Sequence, residues 1–237
     1  MDYYLGYLIC GAFILLAFVV SLVVQNRVHK TYDVYKDMAS SIDLTGAELA
    51  ERLAERKGMN LTINRTNGKL SDHYNPRDKS INISSENFNS KSISSQAIVA
   101  HEFGHALQHA ENYGAFAVRQ AIVKISNFVS GLLMPMIIVG LILELVFLAT
   151  AGRIIIYIMC GVYALSVIAG LVTLPVEYNA SSRAKKLLIE MGATSENEKT
   201  ATAQLLNAAA MTYVASLFVS LAYFLRILFL LLSIRRD

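Results

Sequence analysis

A chain of 237 residues, 54% of them hydrophobic and with a formal charge of only +3, is long enough for one soluble domain or for a small membrane protein. Cys10 and Cys160 are its two cysteines and both fall in apolar stretches, which argues against a disulfide framework and against a thiolate metal site. No nucleic-acid partner is expected.

The placement of the apolar residues decides between the two classes. Leu5 to Val24, Ile154 to Leu174 and Met211 to Leu225 read as spanning helices, since a bilayer core about 30 Å thick takes roughly 20 apolar helical residues. Four spans are predicted, at 5–24, 128–150, 154–174 and 212–232. The first is expected to stay as an anchor. No basic residue precedes it, and Val23-Val24-Gln25-Asn26-Arg27 follows where a cleavage site would need small residues.

Residues 25–127 are polar and long enough for a domain between the first two spans. Thr45-Gly-Ala-Glu48 is a capping-box pattern that opens a short helix with Leu49 and Leu53 on its apolar face. Glu48 and Arg52 sit i,i+4 on the other face, and Gly58 is the stop. Leu61 to Asn64 and Lys79 to Ser84 alternate like strands. Thr66 to Lys69 reads as a turn that returns Leu70 to Tyr74 as a second strand, and Asn75 to Asp78 as another turn, so a short antiparallel sheet is expected. A second helix is predicted from about Ser95 to Asn112.

That helix carries His101-Glu-Phe-Gly-His105. Histidines at i and i+4 lie one turn apart on one face, so both imidazoles can reach a single metal, and imidazole nitrogen suits Zn²⁺. Glu102, beside the first histidine, is placed to act as general base. The competing reading is a surface helix with two unrelated histidines. The small Gly104 and Ala106 let another element pack close. A catalytic zinc site wants a third protein ligand, and His73, His109, Glu111 and Glu177 are the candidates. Glu177 is preferred because it follows Leu174-Pro175-Val176, where the third span ends on the same side as the His101 helix. Its bland alternative is an interfacial carboxylate at a helix N-terminus.

Beyond the second span, Ala151, Gly152 and Arg153 are expected to form the turn of a tight hairpin over 128–174. Residues 175–211 supply the third-ligand helix and a connecting segment before the last span. Glu144 and Arg226 lie inside predicted spans at matching depths and are expected to pair. Thirteen Lys and Arg lie between spans one and two, and four between spans three and four, which predicts that both larger loops face the cytoplasm.

Four stretches resemble the YugP-like family of bacterial membrane zinc metallopeptidases. They are Leu70-Ser-Asp-His-Tyr-Asn-Pro-Arg77, Ala100-His-Glu-Phe-Gly-His-Ala-Leu-Gln108, Thr173-Leu-Pro-Val-Glu-Tyr-Asn-Ala-Ser-Ser-Arg-Ala184 and Ala208-Ala-Ala-Met-Thr-Tyr-Val-Ala215. The resemblance implies one zinc per chain on His101, His105 and Glu177, with Glu102 catalytic. The chain is also distantly similar to the HtpX heat-shock protease and the CAAX-prenyl endopeptidases, whose third-ligand helix reads Glu-x-x-x-Asp; here Ser181 stands at the last position.

Other candidates are His73 and Tyr74, on a strand able to line a substrate groove and polarise a carbonyl, and Arg183, able to brace the third ligand or bind substrate. Gln108 is a candidate to support a ligand, and His109 a candidate ligand. Each has an ordinary structural alternative. The expectation is a mainly α membrane protein with a zincin-like α+β domain between spans one and two, integral to a bacterial plasma membrane, its site facing the cytoplasm. It would hydrolyse peptide bonds of membrane-associated or unfolded polypeptides at the lipid bilayer. A zinc-stabilised scaffold without catalysis, or a transporter, are the rival classes.

Overall fold

The computed structural model describes residues 3–125, 131 and 149–234. Helix α1 (Tyr3–Tyr35) is followed by α2 (Gly46–Lys57), β1 (Thr62–Thr66), β2 (His73–Asn75) and β3 (Ser80–Ser84). Then come the single turn α3 (Ser85–Phe88), α4 (Ile93–Ala110), a helix over 114–125 designated α5, α6 (Ala149–Met191) and α7 (Glu196–Ile234).

The chain divides into two compact units. One comprises Met1–Val23, Val118–Leu174 and Thr212–Asp237; the other comprises Val24–Ala117 and Pro175–Met211. Among the described residues, three helices, α1, α6 and α7, are long and apolar enough to cross a membrane, and the first unit holds the apolar part of each. Leu8, Leu15, Phe18 and Leu171 are exposed on them, as expected where lipid is the solvent. Three of the four predicted spans therefore lie on long helices, and the fourth, at 128–150, falls almost wholly outside the described residues.

One sequence expectation and one alternative reading change here. Ala151 to Arg153 form no turn, because α6 already begins at Ala149. Glu177 is not at a helix N-terminus, because α6 continues through Pro175 to Met191. Arg226 lies over the ring of Tyr7, 4.6 Å from its centroid, and donates to the Tyr7 hydroxyl; Glu144, its predicted partner, is outside the described residues.

The second unit is an α+β fold. α2 begins with the predicted capping box. The Thr45 hydroxyl accepts from the Glu48 N–H and the Glu48 carboxylate accepts from the Thr45 N–H, while Gly58 ends the helix at φ 62°. Glu48 is occupied by that box, and Arg52 instead approaches Glu55 at 3.8 Å. The sheet is mixed, in the order β1-β3-β2, with β1 parallel and β2 antiparallel to β3. The expected hairpin between the first two strands is not formed. Ile81 and Ile83 are fully buried, so β3 takes the centre and leaves β2, with its exposed His73, at the edge. Positive φ at Gly68 and Leu70 turns the chain away from an immediate return. The Asp72 carboxylate then fastens the crossing segment by accepting from Ser84 N–H and Asn87 Nδ2.

Above the sheet, α2 and α4 pack with the last part of α6 and the start of α7. Leu49, Leu53, Val99, Phe103, Leu187, Leu188, Leu205 and Leu206 join the two isoleucines in one core. Tyr32, on the polar continuation of α1, enters the same core and donates from its hydroxyl to Asn87 Oδ1.

Candidate metal centre

α4 is capped by Ser92, whose hydroxyl accepts from the Ser95 N–H, and it is a largely buried helix. His101 and His105 therefore stand one turn apart, with ring centroids 4.8 Å from each other. The facing stretch of α6 buries Glu177, Ala180, Ser181 and Ala184. The two helices meet at Gly104, where a Cβ would lie 2.7 Å from the Ala180 carbonyl oxygen. Only glycine permits this approach, and it brings Glu177 over the histidines.

One donor atom from each of His101, His105 and Glu177 lies within 4.8 Å of the other two. Glu177 Oε2 is 3.2 Å from His101 Nε2 and 3.5 Å from His105 Nε2. Glu177 and His105 are buried, and His101 is partly so. Tetrahedral zinc with bonds of about 2.0–2.2 Å sets neighbouring donors about 3.3–3.6 Å apart. The two carboxylate–imidazole distances are close to that spacing, and two imidazoles with a carboxylate suit that ion in chemistry.

Glu102 sits beside the cluster and its carboxylate accepts the backbone N–H of Tyr74 at 2.8 Å. Burial pushes its pKa up to about 7; the charge of His101 opposes this, and that of Glu177 adds to it. A carboxyl poised near neutrality suits proton transfer.

The hydroxyl of Tyr74 meets His109 Nδ1 at 2.8 Å, so His109 is engaged there and is not part of the cluster. His73 is exposed on the edge strand with Nδ1 2.9 Å from the Ser71 carbonyl, and it too is outside the cluster. Glu111 likewise lies outside it and pairs with Arg183 at 2.7 Å, which holds the Glu111 carboxyl below its ordinary value. Arg183 Nε donates to Asn179 Oδ1 at 2.7 Å.

Three residues support the cluster, of which Gln108 was a candidate from the sequence and Asn179 was not. Gln108 Oε1 is 2.9 Å from His105 Nδ1, a contact at i,i+3 on α4. Asn179, one turn before Arg183, receives Gln108 Nε2 at 2.9 Å. Ser181, the departure from Glu-x-x-x-Asp, puts its hydroxyl 3.2 Å from His101 Nδ1. The last could have been found from the spacing, since i,i+4 from Glu177 places it on the same helical face.

Residues 10–232 match a family model described as "Putative neutral zinc metallopeptidase". The chain is 36% identical over 214 residues to "Putative membrane protease YugP" of Bacillus subtilis (strain 168), covering 90% of this chain and 92% of that protein. No solved structure matches.

Proposed function

Because the chain belongs to the neutral zinc metallopeptidase family that its sequence matches over residues 10–232, we propose that it is a membrane-embedded zinc-dependent endopeptidase acting on membrane-associated or unfolded polypeptides. His101, His105 and Glu177 would hold one zinc per chain, and Glu102 would be the general base. The observation that carries this reading is the convergence of the three donor atoms within 4.8 Å beside a carboxyl whose pKa lies near 7. When bound, zinc polarises a carbonyl and makes water easier to deprotonate.

The chain's own residues do the rest. Glu102 takes the proton of the attacking water and passes it to the leaving amine, so its carboxyl must cycle between charged and neutral forms. The Tyr74 N–H holds that carboxylate in place through one oxygen. Tyr74 lies on the edge strand β2, beside which an extended polypeptide can run. Membrane substrates are favoured because Glu177 lies three residues beyond Leu174, where the apolar run of α6 ends. The excess of Lys and Arg in the two larger loops supports a cytoplasmic site.

The test is the metal content of the purified full chain beside Glu177→Ala, together with cleavage of a denatured membrane-protein substrate. Roughly one zinc per chain, lost in the variant, is expected of a three-ligand site. Zinc fully retained without Glu177 would overturn the ligand set. Zinc binding with no cleavage that responds to Glu102→Gln would leave a metal-stabilised scaffold instead.

A further inference from the structure

A directional hydrogen-bond chain runs from Arg183 to His105. A guanidinium has donors only, so the atom of Asn179 facing Arg183 Nε at 2.7 Å must be its carbonyl oxygen. That same Oδ1 lies 2.9 Å from one end of the Gln108 carboxamide, which must therefore be the NH₂. The Val176 backbone carbonyl, 2.8 Å from the same nitrogen, can only accept and independently demands the same orientation. Gln108 is fully buried, so its amide is satisfied by these partners, and turning it over would set its oxygen against two acceptors. Its oxygen therefore faces His105 Nδ1 at 2.9 Å, and that nitrogen must carry the proton.

We infer that Arg183, Asn179 and Gln108 are positioning residues that fix His105 as the Nδ1-protonated tautomer. The lone pair is thereby left on Nε2, the atom that faces Glu177 Oε2 at 3.5 Å. The polarity originates at Arg183 and at the Val176 carbonyl, and Gln108 transmits it. His101 has no such device, because the Ser181 hydroxyl at its Nδ1 can donate or accept. The tautomer stands on these contacts alone; its consequence for metal affinity rests on the ligand set proposed above. An imidazole held in the binding tautomer binds metal without first moving a proton between its nitrogens.

The experiment is ¹⁵N spectroscopy of the histidine rings in the metal-free full chain, in detergent and mildly alkaline buffer, followed by titration with zinc alone. His105 should show Nδ1 protonated and Nε2 unprotonated. Gln108→Met should give the averaged signal of two tautomers and weaken zinc binding about 10–100-fold. Arg183→Gln should give a smaller change in the same direction, since the Val176 anchor remains. A wild-type His105 protonated at Nε2 would overturn the inference. So would an unchanged His105 signal in a folded Gln108→Met protein. The wild-type spectrum needs no variant, no metal and no substrate, so it reads the tautomer even if the chain were to bind no zinc and cleave nothing.

Discussion

Gly104 and Ala180 are in backbone contact, so close that a single added carbon on Gly104 would stand 2.7 Å from the Ala180 carbonyl oxygen. The contact lies between the two elements that bear the candidate ligands. Gly104 is on α4 between His101 and His105, and Ala180 is on α6 three residues after Glu177. Separation of these helices is therefore set by a residue that has no side chain, and the spacing of the three donor atoms follows from it.

Replacing Gly104 with alanine should force α4 and α6 apart. Overpacking of this kind costs about 1–3 kcal/mol, offset by less than about 1 kcal/mol of improved helix propensity. The expected outcome is a lower midpoint for thermal unfolding in detergent and weaker zinc binding in the protein that remains folded. Unchanged zinc affinity would mean that the helix separation does not set the donor spacing.

Glu102→Gln separates proton transfer from metal binding. The amide oxygen of glutamine can still accept the Tyr74 N–H, so the edge strand should stay in place. Zinc content should equal that of the wild type. Peptide cleavage should fall by about 10²–10⁴, the range over which a general base contributes. A parallel loss of zinc and activity would instead assign Glu102 a role in metal retention.

How much of this was legible in the sequence depended on whether the deciding contact is local. The capping box joins Thr45 and Glu48 three positions apart, and the two histidines stand one helical turn apart, so both could be read directly. The sheet order could not. The turn signal at Asn67-Gly68 favours a local hairpin, but the burial of Ile81 and Ile83 outweighs it and draws β3 between the other two strands. The Gln108–Asn179 contact joins residues 71 positions apart, and a buried glutamine carries no pattern by which to foresee its partner. Glu177 was reached through where the apolar run ends and through family resemblance. The extent of its helix is not legible, because Pro175, usually a helix breaker, lies inside α6.

Ser181 offers a graded test on the other histidine. Its hydroxyl lies 3.2 Å from His101 Nδ1, a long contact whose direction is not fixed. Ser181→Ala should weaken zinc binding by no more than about 10-fold, the lower end for loss of a supporting partner. Ser181→Asp should tighten it, because a carboxylate at that position accepts from Nδ1–H and makes Nε2 a stronger donor to metal. Competition with a calibrated chelator measures both. Weaker binding in Ser181→Asp would show that negative charge is not tolerated there.

The Glu111–Arg183 pair should make stability depend on acid. Arg183, at 2.7 Å, lowers the Glu111 carboxyl from its ordinary 4.5, so the native state favours the charged form more than the unfolded chain does. The contribution is then fully present above the unfolded value of 4.5 and is lost as pH falls through the lower folded value. Glu111 is about half exposed and the pair is screened, so its worth is below about 1 kcal/mol. Glu111→Gln should accordingly be slightly less stable than wild type at neutral pH and should converge with it in acid. Thermal unfolding of both proteins across that range is the measurement. A constant difference at every pH would place the effect in packing instead of charge.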